Sequence, residues 1–129
     1  MNETARIVHL DGEGFFDVKK NKQPFSIFTS QSIIKVLGTS FNLSSYEKDN
    51  FLSLDLLTGK VEFESINGKF PTFNMAPGQR VNYDYHKNLI TKDSRPQGDD
   101  ILWTKKQLVL NNSTIEALFN RLEKIYNIQ

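Results

Sequence analysis

Over most of the chain, apolar residues recur at every second position. Leu52, Leu54 and Leu56 share one phase while Ser53 and Asp55 hold the other, and Val81, Tyr83 and Tyr85 oppose Asn82, Asp84 and His86. Successive side chains of a strand point to opposite faces, so this pattern predicts strands with one buried face. Such runs cover Arg6–Leu10, Gly14–Lys19, Phe25–Thr29, Ile33–Leu37, Thr39–Tyr46, Phe51–Leu57, Lys60–Ile66, Lys69–Asn74, Gln79–Tyr85 and Leu89–Thr91. Turn chemistry separates them: Asp11-Gly12, Lys20-Asn21-Lys22, Glu47-Lys48-Asp49-Asn50, Thr58-Gly59, Asn67-Gly68 and Pro77-Gly78. Of these, Asn67-Gly68 between two alternating runs is the strongest hairpin signal. The predicted fold is mainly β, a twisted antiparallel β-sandwich or roll of about ten short strands with a C-terminal strand-helix unit.

The alternation breaks once inside an apolar run. In Ile33-Ile34-Lys35-Val36-Leu37-Gly38-Thr39-Ser40-Phe41-Asn42-Leu43 the inward candidates Ile34 and Val36 are even-numbered, whereas Phe41 and Leu43 are odd-numbered. A phase change requires an inserted residue or a bend, and glycine tolerates the backbone angles of either. Gly38 is therefore expected to let one long strand change face or cross between sheets, burying all four side chains.

The pattern lapses at Ser94-Arg95-Pro96-Gln97-Gly98-Asp99-Asp100, which reads as a polar linker. It divides the chain into an all-β domain at residues 1–92, a linker at 93–102 and a strand-helix unit at 103–129. In that last unit a strand Gln107–Leu110 precedes a helix expected over Thr114–Tyr126. Ser113 and Glu116 make a capping box, and Ile115, Leu118, Phe119, Leu122 and Tyr126 form a stripe at helical spacing.

Composition narrows the function classes. The 129 residues include 38% hydrophobic and 12% aromatic residues, enough for one domain with a real core. A formal net charge of +1 gives no excess of one sign to argue for nucleic acid. With no cysteine there is neither a disulfide framework nor a thiolate metal site. No apolar run approaches the ~20 residues of a membrane span, and Met1-Asn2-Glu3-Thr4 begins no signal peptide. The expectation is a cytoplasmic protein or an excised piece of a larger one.

Candidate chemistry is sparse. His9 and His86 fall in the polar phase of their strands, without the paired histidines and facing carboxylate that a metal-binding jelly roll needs. Asp99-Asp100 and the pair Glu13 and Asp17 read as solvated carboxylates, because nothing apolar surrounds them to shift a pKa. Gly38-Thr39-Ser40 lacks the following glycine and helix of a nucleophile turn. The three lysines at Lys19-Lys20-Asn21-Lys22 read as solvation of a hairpin tip. Phe15 shares the outward phase of Glu13 and Asp17 and is expected to be covered by a second layer. These readings point to a non-catalytic protein without cofactor or metal.

Several motifs together resemble those of the FecR-type anti-sigma factors. They are Gly12-Glu13-Gly14-Phe15-Phe16-Asp17-Val18, Pro24-Phe25-Ser26-Ile27, Val36-Leu37-Gly38-Thr39-Ser40-Phe41-Asn42-Leu43, Thr58-Gly59-Lys60-Val61-Glu62-Phe63 and Ala76-Pro77-Gly78-Gln79. The tail from Trp103 through Leu108-Val109-Leu110 to Ile128 is similar to the C-terminal segment that follows this domain in Bacteroidetes members, related to the short secretin and TonB N-terminal domain. The resemblance implies the periplasmic part of an inner-membrane, single-pass regulator whose membrane helix lies outside this sequence. Its partners would be the signalling domain of a TonB-dependent outer-membrane transporter and, through a cytoplasmic segment, an extracytoplasmic-function sigma factor. The sequence lacks the strand that usually precedes Arg6 and stops after the first strand and helix of the terminal unit, so it reads as a fragment.

Under this reading a partner would add a strand beside Gln107–Leu110, with Trp103, Leu108, Leu110, Leu118, Phe119, Leu122 and Tyr126 as the contact residues. A helix face covered by a single strand would also attract a second copy of the chain. The alternative, from another class, is a β-sandwich glycan-binding module in which Tyr46, Tyr83, Tyr85 or Phe15 stack on sugar rings.

Overall fold

The structure, a computed structural model, describes residues 6–19, 24–94, 104–110 and 113–128. Eleven strands form one sheet: β1 Arg6–Val18, β2 Phe25–Phe28, β3 Ser32–Val36, β4 Thr39–Ser45, β5 Phe51–Thr58, β6 Val61–Ser65, β7 Phe73–Met75, β8 Gln79–Asp84, β9 Leu89–Ser94, β10 Thr104–Leu110 and β11 Ser113–Ile128. Nine of them run in the order β7-β6-β3-β2-β1-β4-β5-β8-β9, while β11 pairs with β1 and β10 with β11. The mainly β architecture follows the sequence pattern. Every pairing is antiparallel except β1 with β2, which run parallel from Arg6–Phe25 to His9–Phe28.

The sheet is a roll because three long strands bend at one common line. β3 and β4 meet at Leu37-Gly38, β5 and β6 at Gly59-Lys60, and β7 and β8 at Ala76-Pro77-Gly78. Before the bend β3 pairs with β6 and β6 with β7; after it β4 pairs with β5 and β5 with β8. The corners require glycine: Gly38, Gly59 and Gly78 have φ of 61°, 84° and 88°, a region costly for residues with a Cβ. They also nest. A Cβ on Gly59 would lie 2.5 Å from the Gly38 carbonyl oxygen and 2.8 Å from Thr39 Oγ1. The Thr39 hydroxyl ties the corner by donating toward the Leu37 and Lys60 carbonyls at 3.2 and 3.0 Å.

This bend is the joint anticipated at Gly38. Ile34, Val36, Phe41 and Leu43 are all buried, with the change of phase falling at the glycine. Inside the roll they join Leu10, Phe16, Phe25, Ile27, Leu52, Leu54, Leu56, Val61, Phe63, Val81 and Tyr83 in a single core.

Other expectations are corrected. Asp11-Gly12 is not a turn but lies within β1 opposite a bulge in β11, so the two runs read there form one strand. Buried Asp11 accepts a 2.8 Å hydrogen bond from the Glu47 amide, and Gly12 at φ 152° sits where β1 passes from β2 to β4. Asn67-Gly68 turns the chain, with Gly68 at φ 66°, but no two-residue hairpin forms. β7 starts only at Phe73, because Pro71 cannot donate to a ladder and Phe70 tucks edge-on against Tyr83, ring centroids 5.1 Å apart.

The largest correction lies at the C-terminus. The helix expected over Thr114–Tyr126 is a strand, β11, paired with β1 from Val18–Ile115 to Ile7–Ile128. The strand-helix unit is thus a β10/β11 hairpin continuing the main sheet. Two bulges explain the helical spacing. Opposite β1 the partner skips from Lys124 to Leu122 and again from Arg121 to Phe119, leaving Glu123 and Asn120 as extra residues. Each bulge stretches the inward spacing from two to three, so Ala117, Phe119, Leu122 and Ile125 all meet the core. A bulged strand with inward steps of two, three and three looks in sequence like a helix face.

Candidate partner-binding surface

β1 is the spine of the candidate surface. Its Val8, Leu10, Phe16 and Val18 side chains face the core, and its outer face carries Glu13, Phe15 and Asp17 between β4 and β11. The Asp17 carboxylate accepts from the Ser40 hydroxyl at 3.0 Å, and Glu13 accepts from Ser44 at 3.3 Å and from the Asn120 side-chain amide. Between them Phe15 lies in register with Leu118, both half-buried. The expected covering of Phe15 is thus partial, supplied in register by β11.

On the inner face Phe119 takes the place a side chain on Gly14 would fill. A Cβ there would come within 2.6 Å of Phe119 Cδ1 and 2.8 Å of the Leu118 carbonyl oxygen. The Phe119 ring, 5% exposed, packs edge-on to Phe16 at 5.7 Å, and Phe16 stacks on Phe41 at 5.3 Å. Glycine inside a strand signals a close approach of this kind, and Gly14 was the overlooked sign that an aromatic residue crosses β1 here.

The turn between β4 and β5 holds the other end of β11. The Arg121 guanidinium lies over the Tyr46 ring at 5.5 Å, and Lys48 and Arg121 approach the Glu123 carboxylate at 3.8 and 3.5 Å. Burial, and then the Glu13 carboxylate, push the Tyr46 phenol above its ordinary pKa. His9 Nδ1 stands 3.8 Å from Glu47.

The residues expected at an interface are dispersed. Phe119 and Leu122 pack toward the core while Leu118 lies on the opposite face, so they do not make one stripe. Leu108 and Leu110 lie on β10 in register with Ile115 and Ser113, and Tyr126 lies on β11 opposite His9. Trp103 falls outside the described residues. Among the described residues β10 pairs with no strand but β11, and its other edge is unpaired among them. An open edge can take another strand through backbone hydrogen bonds.

The aromatic residues considered for sugar stacking are otherwise engaged. Tyr83 is a core residue, 1% exposed, whose hydroxyl donates to Asn88 Oδ1 at 3.0 Å. Tyr85 packs edge-on to Tyr83 at 4.8 Å, with its hydroxyl 3.3 Å from Ser45 and 3.5 Å from Thr29. Tyr46 is covered by Arg121. At the corners a depression of about 550 Å³ lies between Pro24, Leu37 and Val61. Among the described residues no three His, Asp or Glu gather as a metal site would require, and no helix is long and apolar enough to cross a membrane.

Comparison with known proteins agrees with this geometry. Residues 2–62 match the family model described as FecR protein. Two crystal structures, each of a candidate anti-sigma factor from Parabacteroides distasonis ATCC 8503, superpose with a TM-score of 0.65 at 29% sequence identity. Each match covers 73% of this chain and 43% of the solved one, so the chain spans less than half the length of those proteins. No curated protein matches. The matched segment runs from the spine β1 through the corners at Gly38 and Gly59 that set the roll, and over residues 2–62 the chain carries a domain of the FecR family.

Proposed function

We propose that this chain is the signal-receiving region of a membrane-anchored anti-sigma factor, acting through protein contacts and without catalysis. The observation that carries this reading is the FecR domain joined to 29% identity with a candidate anti-sigma factor over most of the chain. The region would lie in the periplasm, tethered by a membrane helix outside this sequence. It would receive the signalling domain of a TonB-dependent transporter, while a cytoplasmic segment of the same protein holds an extracytoplasmic-function sigma factor.

For the transporter contact we favour strand addition at the open edge of β10. Backbone hydrogen bonds would supply affinity there, and Trp103, Leu108, Leu110 and Leu118 are among the apolar residues near it in sequence or register. The test is purification of the intact, tagged protein from detergent-solubilised membranes. A sigma factor of the extracytoplasmic-function class should co-purify at a near-equal ratio. Recovery of none, in both inducing and non-inducing growth, would overturn the reading.

A further inference from the structure

Segment 113–128 carries two opposed instructions. Ser113 and Glu116 have the spacing of a capping box, and none of the nine residues from Glu116 to Lys124 is β-branched. Glu, Ala, Leu, Arg and Lys, which fill most of that stretch, are strong helix formers, and Glu, Lys, Ala and Asn are depleted in strands. The structure nonetheless holds the segment as a strand along β1.

Backbone pairing with β1 and β10 imposes that state, and four side-chain contacts reinforce it. They are the Phe119 ring over Gly14, the Asn120 amide on Glu13, Lys48 near Glu123 and Arg121 over Tyr46. Two of the four use Asn120 and Glu123, the residues the bulges set aside. A strong local preference overruled by tertiary pairing is a conflict between local and global structure, the condition for an element with two accessible states.

We propose that segment 113–128 is a two-state element, a bulged strand when docked on β1 and an amphipathic helix when released. Its two states present different faces. The strand turns Phe119 and Leu122 inward and places Leu118 beside Phe15. The helix gathers Ile115, Leu118, Phe119, Leu122 and Tyr126 on one side, deprives β10 of its partner and uncovers the β1 edge from Ile7 to Val18. A helix over Thr114–Tyr126 spans roughly 20 Å and is marginal alone in water, so the released segment is partly helical.

The test is NMR on the full chain carrying Gly14→Ala, whose Cβ collides with Phe119 Cδ1 and the Leu118 carbonyl. Residues 114–126 should acquire helical carbon secondary shifts while the signals of β4 and β5 stay in place. Adding Ser113→Ala should lower the helix-to-coil ratio about fivefold, the effect of losing an N-cap. Extended or random-coil shifts over 114–126, or helical shifts that ignore Ser113→Ala, overturn the proposal.

If Gly14→Ala loses the β4 and β5 signals, Asn120→Ala takes its place. It removes the hydrogen bond to Glu13 and favours helix, so the released population should rise about tenfold. Saturation-transfer NMR then reads the minor state. Helical shifts in that state support the proposal, and a minor state that is absent or non-helical overturns it. Neither experiment involves the sigma factor or the transporter, so the outcome is separate from that of the proposed function.

Discussion

Replacing Gly59 by alanine should be among the most damaging single-methyl changes in the molecule. Two costs add. The backbone at φ 84° penalises any residue with a Cβ by about 1–2 kcal/mol. The new methyl would also stand 2.5 Å from the Gly38 carbonyl oxygen and 2.9 Å from Thr39 Cα, both backbone atoms of the adjoining corner. Relief requires the corners to part, which breaks the Thr39 hydrogen bond to the Lys60 carbonyl, worth about 1 kcal/mol. The expected loss is about 2–3 kcal/mol, a large share of a stability typically near 5–15 kcal/mol. Gly68→Ala is the control, because Gly68 has φ 66° but nothing within 4 Å of the added methyl. It should lose only the backbone term of about 1–2 kcal/mol. Urea unfolding followed by far-UV circular dichroism separates the two variants by about 1 kcal/mol, or roughly 0.5 M in midpoint. Losses equal within about 0.5 kcal/mol would refute the nesting of the corners.

Phe119→Ala should cost about 3–5 kcal/mol in the same assay, as for a buried aromatic residue, whereas Leu118→Ala on the outer face should cost about 1 kcal/mol. Arg80→Ala removes a two-pronged contact to Asp55, at 2.6 and 3.0 Å, but both groups are partly exposed; the loss should stay below about 1 kcal/mol and shrink in salt. Burial raises the Tyr83 phenol, as it does Tyr46, so both should ionise after a free tyrosine in an alkaline absorbance titration. Because the folded state keeps these protons better than the unfolded chain, stability should fall as pH climbs past about 10, and denaturation midpoints measured across that range check the sign.

Where one residue carried one instruction, the sequence was legible. The change from Ile34 and Val36 to Phe41 and Leu43 located the Gly38 bend, and the alternation of β5 and β8 identified their buried faces. Misreadings arose where an irregularity copied another pattern. Bulges at Asn120 and Glu123 gave β11 the spacing of a helix, and Gly12 looked like a turn because the positive φ it adopts opposite the Glu123 bulge favours glycine as a turn does. The parallel pairing of β1 with β2 left no trace, since side-chain alternation is blind to strand direction. Dispersal of the expected interface followed from the helix reading: Phe119 and Leu118 share a face on a helix and take opposite faces on a strand.

The most direct test of the signalling account is transcript abundance in cells whose chromosomal copy of the intact gene lacks residues 2–62. With the FecR domain removed, one set of genes read by an extracytoplasmic-function sigma factor should stop responding to the inducing nutrient, and the unaltered gene should restore the response. A set of transcripts that responds equally with and without residues 2–62 would contradict it.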